Sequence, residues 1–342
     1  MVERRFLNVL VVVLALVAVG GTSAAAAPPG EGVPRLGHVF VIIGENTDYS
    51  HVTATNSPYM IGTLKPRSAW FSHYLAATHW SQANYVALMS GQFNACQQQD
   101  GGVACHQNVD NLYHQLDLAG TSWTTWLEDE GARCGNLVPN GTTEVQSSTG
   151  DCVPHGNCPL TGFYTTGNPP INFDDIEGPG GVFSATTPSA ECLARDVQAG
   201  VQMADFNARL AAGSVPRFNF VIPNGCEDAN GNCAPVNNRY TQFDDFLARE
   251  VPLIQSSPAF GANDLIVVLF DEDMRSGGMQ LKDPLGQGGH TVCLLIGPSV
   301  RPGVYGRTTY SYSVLRTLQD GYRVGPLLGH AADVQPIDQI WR

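Results

Sequence analysis

The sequence has few charged residues, and positive charge is the scarcer kind. Charged residues make up 14% of the 342, with 18 Lys and Arg against 31 Asp and Glu, so the formal net charge is 18 − 31 = −13. Nucleic-acid binding depends on Lys and Arg that neutralise phosphates, and no basic run occurs, so this composition excludes nucleic acid as a main partner. Hydrophobic residues reach 43%, which excludes a natively disordered chain. We expect a folded protein with an acidic surface.

Long apolar runs are also few. Arg4 and Arg5 precede the apolar stretch Phe6–Val19, and small residues follow as far as Ala27. This stretch is shorter than the roughly 18 residues that a membrane-spanning helix needs, so we predict a signal peptide over residues 1–26, with an uncleaved N-terminal anchor as the alternative. No second segment approaches membrane length. The sequence therefore predicts a secreted, extracellular protein with no stable transmembrane segment after processing.

An odd number of cysteines suits an oxidised, exported protein with one free thiol. The nine are Cys96, Cys105, Cys134, Cys152, Cys158, Cys192, Cys226, Cys233 and Cys293. Cys293 lies inside an apolar run and is predicted to be the unpaired one. Short-range closure favours the pairs Cys96 with Cys105, Cys152 with Cys158 and Cys226 with Cys233, which leaves Cys134 with Cys192. A zinc cluster is the alternative, although no paired C-x-x-C spacing occurs.

The order of apolar runs and helical patterns indicates an α/β layered fold. Buried strands are predicted at His38–Gly44, Phe218–Ile222, Leu265–Phe270 and Thr291–Gly297. Helical patterns fall between them, at Asn84–Met89, Leu112–Leu118, Asp196–Leu210, Phe243–Val251 and Ser313–Leu318. We predict a signal peptide at 1–26 and one domain over 27–342, with a disulfide-held insertion at about 92–190.

Three of the predicted strands are followed at once by acidic residues. In open α/β sheets such positions face one shared crevice. The clusters are Glu45-Asn46, then Asn224 with Glu227, Asp228 and Asn230, and then Asp271-Glu272-Asp273. Converging carboxylates repel one another, so a shared cation would make the arrangement tolerable. Helix N-caps or solvated turns are the alternative for any one cluster.

Two further residues are candidates for the same crevice. His290 precedes the last predicted strand, so it reaches the crevice only if that strand runs antiparallel to the others; otherwise it is a loop histidine without a role. An imidazole beside carboxylates suits zinc, manganese or iron better than calcium. Ser81 stands where a polar loop enters a helix, so it is either an N-cap or a metal-activated nucleophile near a helix N-terminus that favours anions.

These motifs, in this order, resemble the bacterial phosphoesterase family of secreted acid phosphatases and phospholipases C, within the alkaline phosphatase superfamily. The similarity rests on Glu45-Asn46, Thr78-His79, Ser81-Gln82-Ala83-Asn84-Tyr85, Ala87-Leu88, Ser90-Gly91, Pro223-Asn224 with Asp228, Asp271-Glu272, Val300–Gly303 and Tyr312–Leu318. It covers both ends and the middle of the mature chain but not Gln92–Ala190. Asn230 stands where the family commonly has histidine, and Trp80 and Ala83 stand where proline is usual.

The resemblance implies an alkaline-phosphatase-like three-layer sandwich, with a mostly parallel sheet, one antiparallel strand and disulfide-held insertions. It implies Ser81 as the nucleophile and Asn84 as a ligand of the phosphoryl oxygens. A divalent metal ion would be bound by Glu45, Asp271 and Glu272 with Asn46 beside them. A second ion would belong to Asp228 and His290, and Asn230 implies that this second site is weakened.

The hypothesis is therefore a secreted phosphomonoesterase of the acid phosphatase type, acting on a phosphorylated small molecule or a phospholipid headgroup. The preference for monoesters comes from the resemblance, since some of these phosphatases act on phosphatidylinositol 3-phosphate. A phospholipase C-like phosphodiesterase, a non-catalytic phosphate- or headgroup-binding protein and a glycoside hydrolase are the alternatives. The aromatic residues Trp80, Tyr85, Trp123 and Trp126 either line a leaving-group pocket or pack in the core.

Overall fold

The computed structural model describes residues 32–93, 105–128, 134, 167–177, 189–274 and 283–342. Nine strands in this part of the chain form one sheet, in the order β4-β3-β5-β1-β6-β7-β2-β8, and β9 also pairs with β2. The strands are β1 Val39–Gly44, β2 Ala69–Leu75, β3 Trp123–Glu128, β4 Asp196–Gly200, β5 Phe218–Ile222, β6 Leu265–Phe270, β7 His290–Ile296, β8 Gly303–Tyr305 and β9 Thr309–Tyr310.

The sheet is parallel except at one strand. β1 pairs in parallel with β5 and β6 on its two sides. β7 is antiparallel to both of its neighbours, β6 and β2. The predicted single antiparallel strand is thereby confirmed, and the first residue of β7, His290, lies at the sheet edge where β6 ends.

Helices cover both faces of the sheet. They are α1 Ser81–Ser90, α2 Leu112–Leu118, α3 Asp174–Glu177, α4 Ala190–Arg195, α5 Ala204–Ala211, α6 Arg239–Ser256 and α7 Ser311–Tyr322. Alternate residues of β1 explain the layering, because successive side chains of a strand point to opposite faces. Val41 packs in one core with residues of α1, α2 and α7, while Phe40 packs in a second core with residues of α5 and α6. The three-layer α/β sandwich is confirmed.

The four strands predicted from apolar runs are all present. Each strand is apolar throughout because helices cover it on both faces. The helix predicted over Asp196–Leu210 is wrong in its first part, where β4 forms instead. Among the described strands, β4 lies at the border of the sheet and pairs with β3 alone, so it lacks the continuous apolar run of a central strand. β3 lies within the region expected to be an insertion, at 92–190, and that region therefore contributes a strand to the main sheet.

Two of the predicted disulfides are confirmed, Cys134–Cys192 and Cys226–Cys233. Cys293 is a free, buried thiol, as predicted. Cys105 is also disulfide-bonded, whereas Cys96, Cys152, Cys158 and the predicted signal peptide lie outside the described residues. Within the described ranges, no helix has both the length and the apolar character to cross a membrane.

Candidate active site

Ser81 is the first residue of α1 and lies 6% exposed at the helix N-terminus. The chain turns into the helix at Trp80, whose φ of 85° is unusual for a residue with a bulky side chain. Trp80, not Ser81, occupies the N-cap position, and its side chain forms no capping hydrogen bond. The hydroxyl of Ser81 instead donates to Glu45 Oε2 at 2.7 Å. Ser81 is therefore not a capping residue, and its oxygen faces a carboxylate.

Glu45 follows β1 directly and is 3% exposed. Its Oε2 accepts hydrogen bonds from Ser81 Oγ at 2.7 Å and Asn46 Nδ2 at 2.8 Å, and its Oε1 accepts one from the Tyr85 hydroxyl at 2.8 Å. Its backbone N–H donates to the carbonyl oxygen of Asp228 at 2.6 Å. Both the side chain and the backbone of Glu45 are thus held in a single orientation beside Ser81.

Asp271 follows β6, the strand next to β1. Its Oδ1 accepts the backbone N–H groups of Asn46 at 2.8 Å and Glu272 at 2.7 Å. Its Oδ2 is buried and has no hydrogen-bond partner among the described residues. Burial raises the pKa of Asp271 well above its usual value, and the nearby charges of Glu45 and Glu272 raise it further; the Ser81 hydroxyl partly offsets this rise. This carboxylate lies beside both Ser81 and Glu45.

Asp228 reaches the site from the loop after β5, the strand on the other side of β1. Its Oδ1 accepts the Asn230 backbone N–H at 2.7 Å, and its Oδ2 is buried without a partner in the described part of the chain. Burial raises the pKa of Asp228, the charge of Glu45 adds to the rise, and hydrogen bonds to backbone N–H groups and the charge of Arg239 oppose it. Asp228 therefore belongs to the same electrostatic cluster as Glu45.

Asn84 lies in the site, but its amide is engaged by the protein. Its Nδ2 donates to the Thr78 carbonyl at 2.7 Å and to Glu272 Oε2 at 3.1 Å, and its Oδ1 accepts from the Thr78 backbone N–H at 3.0 Å. Asn84 therefore braces the loop that precedes Ser81. In the same loop, His79 Nδ1 lies 3.5 Å from Glu272 Oε2.

His290 lies at the predicted edge of the sheet but is turned away from this network. Its ring stacks on Tyr49 at 4.4 Å between centroids, and its Nε2 lies 3.0 Å from the carbonyl oxygen of Ser72. Within the described ranges, no hydrogen bond or ion pair joins it to Glu45, Asp228 or Asp271. Burial lowers its pKa. Because Nε2 of His290 contacts the Ser72 carbonyl oxygen, Nδ1 is the ring nitrogen that could bind a metal ion.

The structure thus brings together seven of the eight residues predicted for the site, and His290 stays at its margin. The seven are Ser81, Asn84, Glu45, Asn46, Asp228, Asp271 and Glu272. Sequence reasoning did not assign the roles of Tyr85, His79 and Arg239. Tyr85 lies four residues after Ser81, so its position one helical turn along α1 was the signal for a contact with the same carboxylate. Trp123 and Trp126 are core residues.

The site has the donor atoms that a divalent cation prefers, since carboxylate and amide oxygens dominate. Two buried carboxylate oxygens, Asp228 Oδ2 and Asp271 Oδ2, have no hydrogen-bond partner in the described part of the chain, and a buried unpaired acceptor is costly. In this conformation, however, no three acidic or histidine residues of the site offer ligand atoms within 4.8 Å of one another among the residues described. The site residues nevertheless fit a divalent ion, because their donor atoms are oxygens and because two buried carboxylate oxygens have no hydrogen-bond partner in the described part of the chain.

The fold is similar to that of a solved structure in the alkaline phosphatase superfamily. A superfamily protein from Vibrio parahaemolyticus has the same fold, with a TM-score of 0.51, 13% identity and coverage of 88% of this chain and 70% of its own. The model of the Phosphoesterase family matches residues 63–325, and the chain belongs to that family.

Two curated relatives carry phosphatase names. A phosphatidylinositol-3-phosphatase from Mycobacterium tuberculosis is 26% identical over 315 residues, which cover 90% of this chain and 84% of the relative. A probable acid phosphatase from Kluyveromyces lactis is 24% identical over 238 residues, which cover 70% of this chain. The match spans 48% of the yeast protein, or about half its length.

Proposed function

We propose that this protein hydrolyses phosphomonoesters with Ser81 as its nucleophile. The observation that supports this most directly is the 2.7 Å hydrogen bond from the Ser81 hydroxyl to Glu45 Oε2, in a buried site at the N-terminus of α1. A helix N-terminus favours an anion, and the carboxylate fixes the direction of the hydroxyl. Family membership and the names of the two relatives support the same reaction class.

In the proposed reaction, Ser81 Oγ attacks phosphorus in line with the leaving oxygen. The proton of Ser81 passes to Glu45 Oε2, the P–O bond to the alcohol breaks, and the alcohol leaves with a proton from solvent. Water then attacks the phosphoseryl group and the P–O bond to Ser81 breaks. Ser81 Oγ regains its proton from Glu45, one water proton stays on the released phosphate and the other passes to solvent. Asn46 and Tyr85 hold Glu45, while Asn84 holds the loop that positions Ser81.

A site this rich in carboxylates needs positive charge before it can accept a phosphate ester. Glu45, Asn46, Asp271 and Glu272 would hold one divalent ion; Asp228, with His290 through Nδ1, would contribute to a second, weaker position. When bound, such an ion would lower the pKa of the Ser81 hydroxyl and offset charge on the phosphoryl group. Burial raises the pKa values of Asp271 and Asp228, and a cation beside these carboxylates would oppose that rise.

The finer assignments also belong to this proposal. The Mycobacterium tuberculosis relative is named for phosphatidylinositol 3-phosphate, so a phospholipid headgroup with a monoester phosphate is the substrate class to test beside small phosphate esters. The two disulfides seen among the described residues suit an oxidising compartment, and we propose secretion with cleavage after Ala26. Expression in a secreting host should release into the culture medium a protein whose first residue is Ala27. A secreted protein that still begins at Met1 would contradict this.

The serine is tested by phosphate release from an aryl phosphate. Ser81→Ala should lower kcat by at least about 10³-fold, because removal of a covalent nucleophile leaves only binding and electrostatic effects. Ser256→Ala, which alters an exposed serine at the end of α6, should keep full activity. Circular dichroism should show both variants folded. Activity retained in folded Ser81→Ala would remove the serine from the mechanism.

The metal is tested separately. Exhaustive dialysis against a chelator should abolish turnover, and one added divalent ion should restore it. Full activity of the dialysed protein, with no metal by elemental analysis, would mean that the carboxylates work without a cation. Comparison of an aryl monoester with a bis-ester decides the reaction class, since preference for the bis-ester would favour a phosphodiesterase.

A further inference from the structure

Arg239 is an arginine in contact with the acidic site, and no carboxylate of the described residues forms an ion pair with it. It is the first residue of α6 and is half-buried. Within the described ranges it forms no salt bridge, whereas Arg249, further along the same helix, pairs with Glu128, Glu227 and Glu250. Its charge is therefore available for another anion.

The guanidinium of Arg239 is held against the two loops that carry site carboxylates. One terminal nitrogen donates to the Asn46 carbonyl oxygen at 3.0 Å, and the other lies 3.5 Å from the Asn230 carbonyl oxygen. Asn46 also donates to Glu45 Oε2, the oxygen that accepts the hydrogen bond of Ser81. Arg239 is thus joined to the nucleophile through two intervening residues.

The backbone at Arg239 is also fixed. Its N–H donates to Asn232 Oδ1 at 3.0 Å, and the preceding residue, Asn238, caps the helix by accepting from the N–H groups of Tyr240 and Thr241. The ring of Tyr240 lies 5.0 Å from the guanidinium, which adds a cation–π contact. These contacts limit where the guanidinium can move.

The placement is unfavourable for the helix itself. A cation at the N-terminus of an 18-residue helix faces the positive end of its dipole, and the first turn of α6 contains no acidic residue to compensate. The guanidinium instead faces the loops that carry Asp228 and Glu45, through the carbonyl oxygens of Asn230 and Asn46. Five N–H donors belong to a guanidinium. Nη2 contacts the Asn46 carbonyl oxygen, the Tyr240 hydroxyl and Met274 Sδ. Nε makes no hydrogen bond within the described part of the chain and Nη1 contacts the Asn230 carbonyl oxygen alone there, so N–H groups on Nε and Nη1 remain for a ligand.

We propose that Arg239 is a substrate-binding residue that donates to the phosphoryl group on the Asp228 side of the site. A guanidinium matches phosphate oxygens in shape and charge. This inference rests on the proposed phosphomonoesterase function, but it can be measured without turnover, through the binding of inorganic phosphate.

The test compares wild type, Arg239→Ala, Arg239→Lys and the control Arg209→Ala, which removes an exposed arginine from α5. Calorimetry measures the Kd of inorganic phosphate, kinetics measures kcat/KM for an aryl phosphate, and elemental analysis measures bound metal. Arg239→Ala should weaken phosphate binding and lower kcat/KM about 10- to 100-fold, the range for a charge-assisted hydrogen bond. Arg239→Lys keeps the charge but loses the planar set of donors, so it should recover part of the phosphate affinity, and Arg209→Ala should match wild type.

Each contrary result has its own meaning. Wild-type phosphate affinity in Arg239→Ala would overturn this inference and leave the proposed function standing. Loss of metal, or a Lys variant as weak as the Ala variant, would make Arg239 a clamp between loops and also overturn it. Phosphate binding that depends on Arg239, in a wild type that does not hydrolyse the aryl phosphate, would support this inference and refute the proposed function.

Discussion

Tyr85→Phe tests whether the orientation of Glu45 controls Ser81. Tyr85 is 1% exposed and donates to Glu45 Oε1 at 2.8 Å, on the oxygen opposite the one that accepts from Ser81. Phenylalanine keeps the ring in the core and removes only the hydroxyl. The variant therefore changes one hydrogen bond at the site with little change in packing.

A hydrogen bond to a charged group contributes roughly 1.5–3 kcal/mol. Tyr85 acts on the proposed nucleophile, Ser81, through Glu45, so we expect about half of this in the transition state, or about a 4- to 13-fold loss of kcat/KM carried mainly by kcat. Burial, with the nearby carboxylates, raises the pKa of Tyr85 well above its usual value, so the hydroxyl remains a donor at neutral and mildly alkaline pH. The ratio of wild-type to variant rates should therefore be the same from pH 5 to 9.

The assay is steady-state hydrolysis of an aryl phosphate at several pH values. Tyr312→Phe is the matched control, because Tyr312 is also 1% exposed but its hydroxyl makes no hydrogen bond within the described ranges. It should keep wild-type kinetics. Equal kcat/KM for Tyr85→Phe and Tyr312→Phe would refute the reasoning, since the fixed orientation of Glu45 would then be irrelevant to catalysis.

Two further predictions concern stability. The Cys134–Cys192 disulfide closes a separation of 58 residues, and Cys226–Cys233 closes one of 7. Replacing both cysteines of the first pair by alanine should lower the free energy of unfolding in urea by about 4 kcal/mol, and the same change at the second pair should lower it by about 2 kcal/mol. Equal losses would contradict this. Burial, with Asp196 second, raises the pKa of Glu177 to about 8. Its stabilising contribution is therefore present below pH 4.5 and lost as pH rises through about 8, so Glu177→Gln should match wild type at pH 4 and be about 1–2 kcal/mol more stable at pH 9, allowing for solvent screening. An equal difference at both pH values would exclude this titration.

The central part of the fold could be predicted from the sequence because its strands are buried on both faces. β1, β5, β6 and β7 are continuous apolar runs, and such runs occur where helices cover a parallel sheet on both sides. β4 gave no such signal. It has one neighbour among the described strands and three half-buried positions out of five, so its composition does not distinguish a strand from a helix.

The sequence predicts those residues of the candidate site that directly follow a strand. Glu45 and Asp271 each follow an apolar run, and this position alone places them at one edge of the sheet. Arg239 and Tyr85 lie on helices, and their relation to the site depends on contacts between segments distant in sequence. A pattern of residue types contains no information on which carbonyl or carboxylate such a side chain will meet.

The convergence of the acids follows from strand order, which the sequence does not state. β5, β1 and β6 are neighbours, and Ile42 pairs with Val221 on one side and with Val268 on the other. Neighbouring strands lie about 4.8 Å apart, so residues just beyond their aligned ends fall within one or two strand spacings of each other. The same alignment forces like charges together, and a cation is the physical means of relieving their repulsion. The register of three strands thus brings these carboxylates together, and with them the need for positive charge at the proposed phosphate site.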